Sequence, residues 1–205
     1  MQGDKIYICW SLLFACFLMA IIGCATTETL QFGERKIIET SGKKPNWVVH
    51  ILKPDKGKIY FTGSRTRGVT FEDSRTDARM MAIAQVSDQA KTEFKHRYER
   101  ARTEEGLPAD DEDIGFVLND GIIAVSEVVV SGVREEDAYY EKYKEKTATG
   151  ISYFYDLYML VSMPDENFER AQIETVNKLQ KKAREKKNEK AERLLERMRR
   201  EIKAE

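Results

Sequence analysis

Between Phe71 and Arg102 small and apolar residues return every four positions, at Ala78, Ala82, Val86, Ala90 and Phe94, with Met81 in the adjacent row. This spacing predicts a helix with a narrow buried face. Thr70 followed by Asp73 forms a capping box with a shortened acid, which starts that helix at Phe71. Alanines on the buried face imply close contact with a sheet or a partner helix. Gly106-Leu107-Pro108 breaks the pattern. A second helix is expected from the stripe Ile114, Val117, Leu118, Ile122, Val125 and Val129, against the tendency of Gly121 and many β-branched residues. Val128-Val129-Val130 also fits the start of a strand, and Gly132 ends the element on either reading.

Period-two segments lie on both sides. Trp47–Leu52 and Ile59–Thr66 flank the turn Pro54-Asp55-Lys56-Gly57, giving two short strands or one strand with an extended lead-in. Val133–Lys144 and Ile151–Met163 read as a hairpin joined through Glu145–Gly150. In its second strand Tyr153, Tyr155, Leu157, Met159, Val161 and Met163 share one face, and Phe154, Asp156, Tyr158, Leu160 and Ser162 the other. Both faces are rich in apolar and aromatic groups, so the strand is expected to be central, with helices on one face and a second copy of the protein a candidate for the other. After Pro164 a long helix is expected from Asp165, with Phe168, Val176, Leu179 and Ala183 inward and a thinner stripe of Ala191, Leu194, Leu195, Met198 and Ile202. The expected class is α+β: a small antiparallel sheet with one or two helices packed on it, plus a long C-terminal helix.

The N-terminus has a different pattern. Ile6–Gly23 is an 18-residue run without a charge, near the length that either spans a bilayer or forms a signal peptide. It ends on Ile21-Ile22-Gly23-Cys24, which resembles the lipobox of bacterial lipoproteins. The resemblance implies cleavage between Gly23 and Cys24 and lipidation of Cys24, palmitate included, through its thiolate. An uncleaved anchor is the other reading. On the lipoprotein reading Cys9 and Cys16 leave with the signal peptide, and the mature chain holds no free thiol. The organisation expected is a signal peptide over 1–23, a lipidated tether over 24–44 that reaches about 65 Å at full stretch, a domain over 45–164 and a basic helix over 165–205.

The chain has 205 residues, with 34 Lys and Arg against 35 Asp and Glu. That near-balance excludes a strongly basic nucleic-acid binder, but it is an average over unlike parts. Residues 178–205 hold 12 cations and 6 acids, a net +6, while 24–177 hold 21 and 28, a net −7. The basic segment has three readings: a solvated helix laced with pairs such as Glu185 or Glu189 with Lys190 or Arg193, a helix that associates through Leu194, Met198 and Ile202, or an arm on anionic lipid or wall polymer.

Candidate chemistry is sparse. His50 and His96 have no suggestive neighbours and read as surface or satisfied histidines. No cofactor, metal site or catalytic residue is expected. Gly63-Ser64-Arg65-Thr66-Arg67-Gly68 has the look of an anion nest, but a strand end leading into a helix is preferred. Asp110–Asp113 is read as a solvated loop and helix cap over a calcium site. Tyr139, Tyr140, Tyr143, Tyr153, Tyr155 and Tyr158 put six of nine tyrosines in the hairpin; cross-strand packing is the first reading and a recognition surface the second.

Taken together, the lipobox, Pro45-Asn46-Trp47-Val48, the strand closing on Thr62-Gly63-Ser64, the helix with Ala78-Arg79, Ala82, Ala84 and Ala90, and the strand Tyr155–Val161 resemble the Lpp-twenty-type lipoproteins of bacterial outer membranes, related to flagellar accessory outer-membrane lipoproteins. The resemblance covers 45–164. It implies a small α+β domain with no established catalytic site and carries one functional residue across, Cys24. Ala25 is not the aspartate that retains some lipoproteins at the inner membrane, so the outer membrane of the bacterial envelope is the expected location. The function expected is non-enzymatic: assembly or partner binding by a lipid-anchored protein, as a homo-oligomer or with an envelope protein. The alternative is a module that binds wall polymer or anionic lipid through the tyrosine-rich hairpin or the basic helix.

Overall fold

The computed structural model describes residues 30–204; the apolar run, Gly23 and Cys24 lie outside the described residues. Four strands form one antiparallel sheet: β1 (Arg35–Thr40), β2 (Lys58–Gly68), β3 (Arg134–Thr147) and β4 (Gly150–Pro164), in the order β1-β3-β4-β2. The helices are α1 (Phe71–Glu104), α2 (Glu112–Val130), α3 (Asp165–Glu185) and α4 (Glu189–Ala204). This is the expected α+β class.

β4 is central, paired with β3 from Arg134↔Ser162 to Thr147↔Gly150 and with β2 from Lys58↔Pro164 to Gly68↔Tyr155. Its inner row, Leu157, Met159, Val161 and Met163, is buried under α1, whose Ala78, Ala82, Val86, Ala90 and Phe94 are fully buried. Each such large side chain contributes about 1.5–3 kcal/mol by leaving water. The alanine stripe has a geometric cause. A Cβ on Gly63 would stand 2.0 Å from the Ala78 carbonyl oxygen and 2.4 Å from the Ala82 nitrogen, so the helix backbone rests directly on β2. Gly121 plays the same part between helices: a Cβ there would meet the Phe94 ring at 2.2 Å. The glycine that weakens helix propensity in α2 is the one that lets α1 approach.

The expected caps form. The Thr70 hydroxyl accepts from the Asp73 N–H at 3.2 Å and donates to the Asp73 carboxylate at 2.7 Å, and Asp111 accepts from the Asp113 N–H at 3.0 Å. Thr70→Ala is expected to cost about 1 kcal/mol, read as a lower urea midpoint at unchanged slope. Val128-Val129-Val130 completes α2, with Ser131 and Gly132 donating back to Val128 and Val129 at 3.3 and 3.1 Å.

Four expectations are corrected. Trp47–Leu52 is not a strand. Asn46–Val48 makes a 3₁₀ turn whose amides bond locally to Pro45 and Asn46, and Trp47 is buried with Tyr139 and Leu160 on the sheet's outer face. The tether is shorter than 24–44, because Arg35–Thr40 pairs with Glu145–Glu141 of β3. The hairpin is longer: β3 runs through Glu145, Lys146 and Thr147, leaving only Ala148 and Thr149 in the turn. The segment 165–205 is not an appended helix but, as far as Ala204, a helical hairpin in the core. Lys187 takes a left-handed φ of 53°, Asn188 accepts from the Ala191 N–H at 3.0 Å to start α4, and Ala191, Leu194, Leu195, Met198 and Ile202 are at most 3% exposed.

Candidate functional site

Helices cover the inner face of the sheet, so the outer face is where the fold presents chemistry. Strand alternation puts Tyr139, Glu141, Tyr143 and Glu145 of β3 on that face, beside Tyr158, Asp156, Phe154 and Ser152 of β4. Trp47 closes one end: its indole N–H donates to Asp137 at 2.9 Å, and Val48, Leu52, Tyr60 and Tyr158 pack around it. Lys44 lies over the Tyr139 and Tyr158 rings at 5.8 and 5.7 Å and pairs with Glu141 at 2.9 Å, which in turn accepts from the Tyr139 hydroxyl at 2.9 Å. The Glu141 carboxylate holds the Lys44 amine above its ordinary pKa.

The other end is a clasp. Arg35 of β1 stands 4.5 Å over Tyr143, and Arg67 of β2 stands 4.6 Å over Phe154. The two rings are 5.8 Å apart, and both guanidiniums reach the same oxygen of Glu145, at 3.2 and 2.8 Å. One carboxylate and two rings thus fasten both edge strands across the two central ones. Arg67 reaches this place because β2 bulges between Arg65 and Gly68, with Arg67 at φ 57° and its N–H donating to Asp156 at 2.8 Å. The segment Gly63–Gly68 is therefore strand, as preferred, and the anion its backbone meets is the protein's own Asp156. Burial pushes the hydroxyls of Tyr139, Tyr143 and Tyr158 above the ordinary tyrosine pKa.

The six hairpin tyrosines divide. Tyr139, Tyr143 and Tyr158 build this outer layer, while Tyr140 and Tyr155 pack edge-on against Phe71 on the inner side, with ring centroids 5.1 and 5.9 Å away. Tyr153 stands exposed near the hairpin tip, on the part of the sheet that also exposes Ile37, Ile38 and Ile151. Packing thus accounts for five of the tyrosines, and the apolar tip is the part left open for recognition.

Part of the basic segment is spent on its own chain. Lys190 bridges Asp111 and Asp113 at 3.1 and 3.0 Å, Lys182 pairs with Asp120, Arg197 with Glu104, and Arg193 with Glu105 at 3.9 Å. The acidic run Asp110–Asp113 thus serves as the landing for α4, and Asn188 adds a bond of 2.6 Å to the Asp113 carbonyl. Between α2 and α3 lies a groove of about 510 Å³, lined by Asp120 and Glu127 on one wall and Lys178, Lys181 and Lys182 on the other. Lys182 and Lys186 stand 5.6 and 4.4 Å over Phe116 beside it.

His50 and His96 are both exposed, and no group of metal-ligating side chains occurs among the described residues. Among those residues no helix is long and apolar enough to cross a membrane. The clasp residues Arg35, Arg67 and Glu145 and the cation Lys44 were missed from sequence. Nothing local marks them, because the clasp joins positions 110 and 78 residues apart. No family model matches the chain, and no curated protein or solved structure matches it.

Proposed function

We propose that this is a lipid-anchored protein of the bacterial envelope, attached through Cys24 at the outer membrane, whose α+β domain acts in assembly or partner binding without catalysing a reaction. The observation that carries the reading is the uncharged run Ile6–Gly23 closing on Gly23-Cys24. Two or three acyl chains, at about 0.8 kcal/mol per buried methylene, would hold the protein on a bilayer. What supports a binding role is the division of the sheet: one half is closed by α1 and Trp47, and the tip leaves Ile37, Ile38, Ile151 and Tyr153 in water on a backbone stiffened by the clasp. Ile151 and Tyr153 share one face of β4 there, and adjacent exposed apolar groups mark contact sites.

The test is metabolic labelling with palmitate in a bacterial host. The wild-type chain is expected to take up label and to run at the size of a chain starting at Cys24; Cys24→Ala is expected to lose the label and remain at precursor size. Equal labelling of the two chains would exclude Cys24 as the attachment point.

A further inference from the structure

Among the described residues the most exposed large apolar side chain is not on the basic helices. Ile51 is 94% exposed and Val49 67%, in the loop from the 3₁₀ turn to β2. Both ends of this loop are held. At its start Trp47 is buried and bonded to Asp137, with Val48 and Leu52 packed around it. At its end Asp55 and Lys58 exchange both backbone bonds, at 3.1 and 3.0 Å, around Lys56 and Gly57 with φ of 51° and 69°. Two successive left-handed residues make a type I′ turn, the tight reversal suited to a hairpin. Val48 and Leu52 therefore point into the protein, while Val49 and Ile51 are presented to the outside.

The same segment is basic. Residues 43–58 contain Lys43, Lys44, Lys53, Lys56 and Lys58 against Asp55 alone, a net +4. Glu141 and Glu136 take Lys44 and Lys58, whereas Lys43, Lys53 and Lys56 are exposed and make no ion pair among the described residues. On α4, Lys190, Arg193 and Arg197 are committed to acids of α1, α2 and the segment between them. Three uncommitted lysines thus share one segment with the exposed Val49 and Ile51.

We propose that this loop contacts an anionic bilayer: Val49 and Ile51 enter the boundary between headgroups and acyl chains, and Lys43, Lys53 and Lys56 lie on phospholipid phosphates. Apolar insertion combined with attraction to anionic lipid is the usual basis of reversible surface binding. The biological setting rests on the lipid-anchored reading, but the loop's own chemistry does not.

The experiment uses the chain 24–205 carrying Cys24→Ala, so that no acyl chain contributes; among the described residues every strand and helix lies within 35–204. It is sedimented with vesicles of phosphatidylglycerol and phosphatidylcholine, and with phosphatidylcholine alone. Binding is expected to the anionic vesicles, weakened by salt. Lys53→Ala and Lys56→Ala should each lower it about five-fold, and Ile51→Ser should lower it as well, all three at an unchanged unfolding midpoint because the side chains are exposed. The proposal is overturned if the parent chain stays in the supernatant with anionic vesicles, or if all three variants bind as the parent does. It is also overturned if the parent dimerises without lipid and Ile51→Ser abolishes the dimer, which would assign the loop to self-association. Palmitate labelling keeps the two readings apart. A labelled protein with a non-binding loop refutes the loop alone, and an unlabelled protein with a binding loop refutes the anchor alone.

Discussion

A chain truncated after Lys186 is expected to lose cooperative unfolding and to accumulate as aggregate or proteolysed fragments. Removing α4 takes Leu194, Leu195, Met198 and Ile202 out of a core in which none is more than 3% exposed. Truncating one large core side chain to alanine costs about 2–5 kcal/mol, and a whole domain has about 5–15 kcal/mol to lose. The deletion also uncovers the apolar surfaces of α1 and α3 and strips Lys190 and Arg197 from Asp111, Asp113 and Glu104. Milder substitutions make the same point on a chain that still folds. Leu194→Ala should lose about 2–5 kcal/mol in urea titration, while Arg200→Ala, on the solvent side, should stay within about 0.5 kcal/mol. A truncated chain with the parent's midpoint would show α4 to be an appendage. Deleting the basic segment is for this reason a poor probe of lipid binding, and exposed single sites are the proper ones.

Gly63→Ala is expected to be nearly as damaging although it adds one methyl group. The new Cβ would lie 2.0 Å from a backbone oxygen and 2.4 Å from a backbone nitrogen of α1, and no side chain can rotate away to relieve it. Either α1 lifts from β2 or β2 bends from β4, and each movement opens the layer around Met159 and Ala82. Overpacking commonly costs 1–3 kcal/mol; with backbone on both sides, a loss of about 3 kcal/mol or more is expected. Gly115→Ala is the control. It lies within α2 with no atom within 4 Å of the added carbon, so it should stabilise by about 0.5–1 kcal/mol. Equal urea midpoints for Gly63→Ala and the parent would mean that α1 does not rest on β2 as described.

Elements with a strong local period were legible in the sequence. The four-residue return of Ala78, Ala82, Val86 and Ala90 placed α1, and the two-residue alternation from Tyr153 to Met163 placed β4 and assigned both of its faces. The failures have physical causes. β1 is exposed at all six positions; its place depends on backbone pairing with a strand about a hundred residues away, and no apolar pattern records that. In Trp47–Leu52 the β-branched residues suit a strand, but the fold uses Trp47 as a plug and leaves Val49 and Ile51 outside, so propensity yields to tertiary packing. The break between α3 and α4 contains neither glycine nor proline. Its sequence mark is Asn188, followed by acids at Glu189 and Glu192 in the first turn of α4. The thin stripe from Ala191 to Ile202 looked marginal because such a helix needs partners, and α1 and α3 supply them. The outer-face clasp was invisible because cations, carboxylate and rings are contributed by all four strands.

The seating of β1 has a consequence for where the molecule can work. With Cys24 in the bilayer as proposed, the leash ends at Arg35, where the clasp pins the chain to the sheet edge. Eleven residues at about 3.3 Å each give a ceiling near 36 Å. A folded chain of this size has a radius of gyration of about 16 Å, so the leash is no longer than the body it holds. The domain cannot patrol the depth of a compartment. Whatever it meets must come within about two protein breadths of the lipid, one for the leash and one for the body.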